Sequence, residues 1–453
     1  MSVIAALRES LGDAVDVTED SLESARADRS GHSSAARPLA VVHAQSVQDV
    51  QATMKIASAT RTPVVVRGAG TGLAGGAAAG AGEIVLSMLR MNHVLEVRPD
   101  DLFAVVEPGI INAALNSHLA TYGLWWPPDP ASRNISTVGG NIATGAGGLL
   151  CAKYGVVRDA ILALDVVRTD GRLLHLGHRS VKGVTGLDLT SLMIGSEGTL
   201  GVVVGATLKL RRLVAGESCT ITALFPTVRA AALGSSAVTA SGAEPAIMEL
   251  IDATSLIAIH HHLALPAPPA GASQLTIQTD GPAARAEADR IATVLRDNGG
   301  DVTETYDREE GERLLEIRRS MHPAMAALGT TLIEDVSVPR SALPAMYDEI
   351  ARIEGEYHLT IPTIAHAGDG NLHPNFIFEG TKVPDIVWAA ADDLFRSAIR
   401  LGGTLTGEHG IGSLKSHWLA TELGDDQWEL QHDIKRVFDP LGILNPGKVF
   451  SVA

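Results

Sequence analysis

Cysteine is nearly absent: Cys151 and Cys219 are the only two in 453 residues. They are far apart and form no CxxC pair, which excludes a disulfide framework and a cysteine zinc site. Basic charge is short as well. Lys and Arg number 36 against 52 Asp and Glu, for a formal net charge of −16, and no basic block stands out. That balance excludes nucleic acid and acidic lipid as electrostatic partners. It also means that a small anionic substrate needs a local cationic site, because the overall field opposes it. No window reaches the roughly 20 consecutive apolar residues that span a bilayer. The opening MSVIAALRESLGDAVDVTEDS has no basic n-region of a secretory signal. The expected location is the cytoplasm, with docking at the inner face of a membrane left open. Internal repeats are also lacking, and the proline-rich stretch 266–269 reads as a loop.

Present in quantity is glycine, 46 residues, much of it in clusters. Apolar residues at 45% and charged residues at 19% are ordinary for a well-buried globular chain. The length exceeds what one core organises, so two domains are expected. The first structured signal is a strand at 39–42. Ser46 then caps a helix running to about residue 59. A short apolar strand at 64–66 runs into RGAGTGLAGG (67–76). Strands follow near 84–86, 94–97 and 102–106, then an amphipathic helix at 111–122. An irregular glycine-rich stretch occupies 127–148, a hairpin 161–176, and GSEGTLG (195–201) leads into a strand at 202–210. The texture changes at 212–216. Beyond it, strands at 220–225, 274–279 and 332–336 alternate with helices at 228–241, 283–296 and 342–357, and a last helix lies at 427–438. This predicts a second α+β domain with an antiparallel sheet under helices.

Gly68-Ala-Gly70 after a strand invites a Rossmann reading, but a Rossmann fingerprint opens a helix. Here small residues continue to Gly82 and a strand follows. A single glycine loop is as consistent with a flexible turn as with a phosphate seat. Three within about 140 residues suggest a long dinucleotide, because glycines let successive N–H groups point inward as a nest for anionic oxygens.

The runs RGAGTGLAGG, PPDPASRNISTVGGNIATGAGG (127–148) with KYG after it, and GSEGTLG resemble the FAD-binding domain of the vanillyl-alcohol oxidase and para-cresol methylhydroxylase superfamily. The resemblance extends from about residue 37 to 448. It implies two α+β subdomains holding FAD, with cofactor contacts at Arg67, Gly68, Ala69, Gly70, Thr71, Gly72 and Gly75 in the first loop. Further contacts are implied at Pro128, Asp129, Ser132, Gly139, Gly140, Asn141, Thr144, Gly145, Gly147, Gly201, Val202 and Asn445. Members with covalently bound flavin carry histidine where this chain has Thr71, so non-covalent FAD is expected. The implied organisation is a PCMH-type FAD-binding domain at 34–213 and an α+β substrate (cap) domain at 214–400. The C-terminal segment at 401–453 would return to the flavin domain.

In IAHAGDGNLHPN (364–375), two histidines flank a tight turn, and GEHGIG (407–412) follows later. Two imidazoles and a carboxylate can share one ion, yet six intervening residues are no standard metal spacing. A hairpin whose histidines merely cap a turn stays open on the residues alone. HAGDGNLHP and GEHGIG are, however, similar to the signatures of the superfamily's 2-hydroxy-acid branch. That branch includes glycolate oxidase flavoprotein subunits, D-lactate dehydrogenases that reduce a cytochrome or quinone, and D-2-hydroxyglutarate dehydrogenase. The resemblance implies that His366, His373 and Glu408 bind zinc or manganese, that His409 is the base and that Asn375 contacts substrate. A neutral imidazole suits proton removal near pH 7. LLEIRR (314–319) is similar to the branch's Leu-Trp-x-x-Arg element, which would put Arg318 on the substrate carboxylate; Leu315 replaces the Trp, and an exposed helix arginine is the alternative. Glu334 stands where 2-hydroxyglutarate enzymes place a lysine, which favours a short monocarboxylate such as D-lactate or glycolate over a dicarboxylate.

The electron acceptor is left open among quinone, cytochrome and electron-transfer protein, as is assembly as a homodimer or with partner subunits. His260, His261 and His262 read as a helix end rather than a metal tract. Trp125 and Trp126 read as core packing, and Cys151 as a small filler beside the second glycine cluster.

Overall fold

The computed structural model describes residues 2–380 and 382–450. The chain forms two compact units. One comprises residues 1–148, 155–213 and 408–453, and the other residues 149–154 and 214–407. Each combines helices with sheet, the α+β class that the sequence predicts.

The first unit contains two main sheets. In the smaller, Ala40–His43, Ile84–Ser87 and Val64–Arg67 run parallel, and Val15–Asp16 adds an antiparallel edge. Val42, Val64 and Leu86 are fully buried and pack with Met54 of the helix Val47–Thr60. That helix starts where expected, with the Ser46 hydroxyl accepting from Asp49 N at 3.2 Å. The larger sheet is antiparallel, in the order Val94–Arg98, Phe103–Val106, Val202–Lys209, Ile161–Val167, Leu173–Gly177. Its core includes Trp126, fully buried, whose Nε1 donates to Ala160 O at 3.1 Å. Satisfying the indole N–H this way lets the whole ring be buried, worth roughly 1.5–3 kcal/mol for a large side chain.

Two features differ from expectation. Structure begins well before residue 36, with the helix Val3–Leu11 capped by Ser2. Leu7 of that helix is fully buried, and Val3 and Leu11 pack partly buried against the same core. The glycine-rich stretch 127–148 is also not irregular throughout. Val138–Thr144 forms a helix, capped by the Thr137 hydroxyl at 3.1 Å from Gly140 N and ended by Gly145 at φ 67°. The cap and the left-handed terminus override the low helix propensity of Gly139 and Gly140.

The second unit is built on one long antiparallel sheet in the order Asp301–Thr305, Glu217–Phe225, Ser273–Gly281, Ile247–Ile251, Thr363–His366, Asn371–Phe378, Thr330–Ile333, with Val336–Ser337 also paired to Asn371–Phe378. Helices Val228–Ala240 and Ala284–Asp297 pack on it, and Leu343–Tyr357 packs on Val228–Ala240 and on Asp385–Arg400. The His260–His262 run is the last turn of the helix Ala253–His262. The strand Ile247–Ile251 escaped the sequence reading because a charged residue, Glu249, interrupts its apolar run.

Asp252 follows that strand and joins two elements. Its carboxylate accepts from Ser255 N at 2.7 Å, capping the next helix, and from Thr363 N at 2.6 Å, where the His366 strand starts. Burial outweighs these bonds and pushes its pKa from 3.8 to about 6. A raised folded pKa means that its contribution to stability is complete below pH 3.8 and is lost as pH rises through about 6. Asp252→Asn has no charge to bury. Its unfolding free energy relative to the parent is therefore expected to shift in the variant's favour by up to about 3 kcal/mol between pH 4 and 7. Urea denaturation at several pH values reads this, and parallel pH curves would refute it.

Candidate active site

In the first unit the three glycine clusters come together. Val64–Arg67 delivers the first loop, and a Cβ at Gly68 would collide with the Thr137 hydroxyl at the head of the second. Gly139 N donates to Pro108 O at 2.7 Å, and a Cβ there would lie 2.5 Å from Pro108 Cβ. Gly148 presses against Asp129, whose Oδ1 would be 2.6 Å from an added Cβ. The third loop is stitched to the helix Val138–Thr144 of the second cluster, with Gly195 N donating to Ile142 O at 3.0 Å and Glu197 N to Ala143 O at 2.8 Å. Side chains are excluded at these points by backbone and short polar groups, not by flexible chain ends. The result is a close mutual packing of the three loops that only glycine permits.

Several expected cofactor residues have scaffold contacts. Arg67 bends back under Gly70 and donates to Ala77 O at 2.7 Å and Ser24 O at 3.3 Å, with burial lowering its pKa. Asn141 is buried between Ser136 and Asn112, and Asn112 Nδ2 also donates to Pro128 O at 2.9 Å. Thr144 donates to its own helix at Gly140 O. Ser132 O accepts from Ile135 N and Ser136 N, both at 2.8 Å. Ala69, Thr71, Gly72 and Gly75 line the first loop, and Gly75 needs its left-handed φ of 78°. Gly201 abuts Val166, and Val202 opens the central strand.

Asn445 comes from the far end of the chain. Its N donates to Val64 O at 2.8 Å, and its Nδ2 reaches Glu197 O at 2.6 Å and Gly76 O at 3.2 Å. It thus bridges the first and third loops, while its Oδ1 is buried without a protein partner among the described residues. A buried acceptor left over beside glycine loops fits a bound group that donates to it. Glu408 packs against Gly147 of the second loop, with its side chain 14% exposed and that of His409 13% exposed.

The second unit holds the histidine hairpin. Strands Thr363–His366 and Asn371–Phe378 pair with His366 opposite Asn371 and Ile364 opposite His373. Directly paired residues share a face, so His366, Asn371, His373 and Asn375 all project to one side. The two imidazoles meet edge to face at 5.1 Å between centroids. Glu249, opposite His366 on the neighbouring strand, accepts from or bonds to His366 Nδ1 at 2.7 Å. Its other oxygen accepts from Arg318 Nε at 2.5 Å. Glu249 is fully buried and Arg318 nearly so, with side chains 1% and 11% exposed. Arg318 is therefore not an exposed helix arginine. Its only described bond uses Nε, which leaves the terminal nitrogens for a carboxylate.

Asp335 is fully buried and sits 4.0 Å from His373 Nδ1; it accepts from Asn371 Nδ2 at 2.5 Å and from the Thr406 hydroxyl. Asn375 Nδ2 donates to His373 O at 2.8 Å, and its Oδ1 is buried without a protein partner among the described residues. The donor set fits a divalent ion. Glu249 on Nδ1 directs His366 Nε2 outward, the arrangement by which carboxylates orient metal-binding imidazoles.

Glu249, Asp335 and Glu197 went unread in the sequence. The signal for Glu249 was present, a lone acid within IMELI (247–251), since a charge inside an apolar strand must have a partner. Glu197 lay inside GSEGTLG and Asp335 in the strand at 332–336, but neither carried a role. Glu197 has φ 50°, and burial pushes its pKa up to about 7 despite bonds from Ile411 N and Gly412 N.

A glycine-lined dinucleotide surface with a buried His–Glu–Arg cluster on an α+β scaffold defines an FAD-dependent oxidoreductase. Residues 38–177 match the family described as FAD binding domain, and residues 216–449 that described as FAD linked oxidases, C-terminal domain. The chain belongs to the FAD-linked oxidases. It is 38% identical over 420 residues to glycolate oxidase subunit GlcD of Bacillus subtilis (strain 168), covering 91% of this chain and 89% of that one. Identity to GlcD of Escherichia coli (strain K12) is 34% over 422 residues, covering 91% and 83%. Identity to D-lactate dehydrogenase of Archaeoglobus fulgidus is 32% over 425 residues, covering 92% of each. Substrate-bound p-cresol methylhydroxylase shares the fold, with a TM-score of 0.81 at 18% identity over 99% of this chain and 96% of that one. No helix among the described residues is long and apolar enough to cross a membrane.

Removing Glu249 would leave Arg318 buried and uncompensated. Glu249→Ala is expected to cost about 3–5 kcal/mol in urea unfolding. Glu249→Gln, which keeps the volume, should lower turnover about 10- to 100-fold through lost orientation of His366. Wild-type stability in the alanine variant would show that the cluster carries no buried ion pair.

Proposed function

We propose that this chain oxidises a small 2-hydroxy acid to the 2-oxo acid, D-lactate or glycolate in preference to 2-hydroxyglutarate. The observation that carries the reading is the buried face of His366, His373, Asn375 and Arg318, an imidazole pair beside a guanidinium held by Glu249. It answers the need, set by the acidic composition, for a local cationic site. The names of the relatives support the same substrate class.

FAD, bound non-covalently along the glycine loops with Thr71 in place of a histidine, supplies the hydride acceptor. A divalent ion, zinc or manganese, would be held by His366, His373 and Glu408 and would supply Lewis-acid polarisation of the hydroxyl. Support for including Glu408 comes from the chain path: the preceding residue, Gly407, packs directly on the Asn371 amide, two residues from His373.

Oxidation of R–CH(OH)–COO⁻ removes a proton from oxygen and a hydride from carbon. Arg318 receives the carboxylate through its terminal nitrogens, and Asn375 offers Oδ1 to a donor group of the substrate. The neutral imidazole of His409 takes the hydroxyl proton. Glu334 is buried opposite Pro374, on the face away from His373 and Asn375, so the preference for a short monocarboxylate rests on the names of the relatives. The electrons pass on to a quinone, cytochrome or electron-transfer protein. Two of the relatives are named as subunits, which favours a chain that works with partner subunits. A location at the inner face of a membrane is compatible with such an acceptor.

Anaerobic absorbance near 450 nm tests the reading. Addition of D-lactate or glycolate is expected to bleach the flavin, and D-2-hydroxyglutarate to do so weakly or not at all. A flavin that none of the three acids bleaches would discard the substrate class. His409→Ala should keep its flavin spectrum and lose about 10²- to 10⁴-fold in kcat; normal turnover would remove His409 from the chemistry. A chelator and His373→Ala should each abolish activity, and a fully active metal-free protein would sink the metal assignment.

A further inference from the structure

Glu197 of the first unit is engaged by main-chain and side-chain groups on every polar atom. It is buried, and it adopts φ 50°, a left-handed conformation that costs a non-glycine residue energy. Its N donates to Ala143 O at 2.8 Å, and its O accepts from Asn445 Nδ2 at 2.6 Å. The two carboxylate oxygens accept from successive backbone amides, Ile411 N at 2.7 Å and Gly412 N at 2.9 Å. Consecutive N–H groups aimed at one anion form a nest, and here the anion is a side chain.

The glycines of GEHGIG answer to this contact. Gly410 has φ 86°, and a Cβ there would lie 2.8 Å from Glu197 Oε1. Gly412 has φ 52°, and a Cβ there would collide with Ala74 O of the first loop. Ser413 N donates to the same carbonyl at 3.0 Å, and Val449 N to Gly412 O at 2.8 Å. The backbone directly after His409 is thus clamped to the first glycine loop, the third glycine loop and the C-terminal segment together.

We infer that Glu197 is a positioning residue: its carboxylate, seated on the Ile411 and Gly412 amides, sets the backbone that presents Glu408 and His409. This rests on the reading of His409 as base, and it explains why an acid is buried where an apolar residue would pack at lower cost. Glu197→Gln keeps the volume but turns an N–H₂ toward one of two N–H donors, so one of the two bonds must break.

In the holoenzyme, Glu197→Gln is expected to retain FAD absorbance near 450 nm and to keep KM for D-lactate or glycolate, whichever reduces the flavin, within about twofold. Its kcat should fall about 10- to 100-fold, the scale set by misplacement of a reacting group. Hydrogen exchange followed by mass spectrometry should show faster exchange confined to peptides covering 408–415. Gly410→Ala, whose added Cβ would press on the Glu197 carboxylate from the loop side, should give the same split between kcat and KM.

Unchanged kcat with unchanged exchange in Glu197→Gln would overturn the proposal. So would loss of FAD with faster exchange throughout the unit, which would mark Glu197 as a general structural support. His409→Gln, measured alongside, separates the two ideas. If it is inactive while Glu197→Gln turns over normally, the positioning role falls and the base stands. If His409→Gln turns over normally, the base assignment falls, and local exchange in Glu197→Gln still reports whether the carboxylate holds the loop.

Discussion

The glycine loops of the first unit answer to one constraint: a backbone proposed to lie directly against a dinucleotide cannot carry side chains where it lies. The glycines of the three loops meet that constraint twice, because they also let the loops approach one another. Gly68 touches Thr137, Gly139 touches Pro108 and Gly148 touches Asp129, all at separations that forbid a Cβ. Loops so free of side chains have little hydrophobic contact of their own to hold them. Polar bonds from outside take over that task. Thr137 caps the second helix, Asn112 and Asn141 hold the approach from Pro128, and Asn445 ties Gly76 to Glu197.

In the second unit the organising interaction is the buried carboxylate of Glu249. An isolated charge in the middle strand of a sheet would cost several kcal/mol. With His366 on one oxygen and Arg318 on the other it is satisfied, and it fixes both in the same stroke. Such a cluster adds less to net stability than apolar packing would. What it provides is geometry, since the imidazole and guanidinium are each held by a bond that leaves their remaining nitrogens directed elsewhere. Asp335 does the same on the other side of the hairpin, holding Asn371 and Thr406 beside His373.

The legible parts of the sequence were those with short-range physical causes. Ser46 as a cap, the hairpin at 161–176 and the turn between His366 and His373 are all decided by residues close in sequence. The helix Val3–Leu11 is short, with Leu7 buried and Val3 and Leu11 only partly buried against the core, so its stripe is easily passed over. The helix Val138–Thr144 was hidden because its cap and its glycine terminus outweigh a poor composition. Arg67 was placed in the right loop, but its guanidinium serves Ala77 and Ser24. A side chain's direction depends on partners that are remote in sequence.

By itself the sequence determined an α+β chain with room for a long dinucleotide, and its resemblance to a flavoprotein family implied FAD and oxidation. Closely spaced glycines, tight turns and strand alternation act locally, so they can be read along the chain. It also named the histidines, because residue chemistry is visible without coordinates. Only the tertiary structure decided which acids serve those groups. Glu249 lies 117 residues from His366, Glu197 lies 214 from Ile411 and Asn445 lies 369 from Gly76. No local pattern records such pairs. They come into being when burial removes water from a charge or an amide and leaves another part of the chain as its only partner.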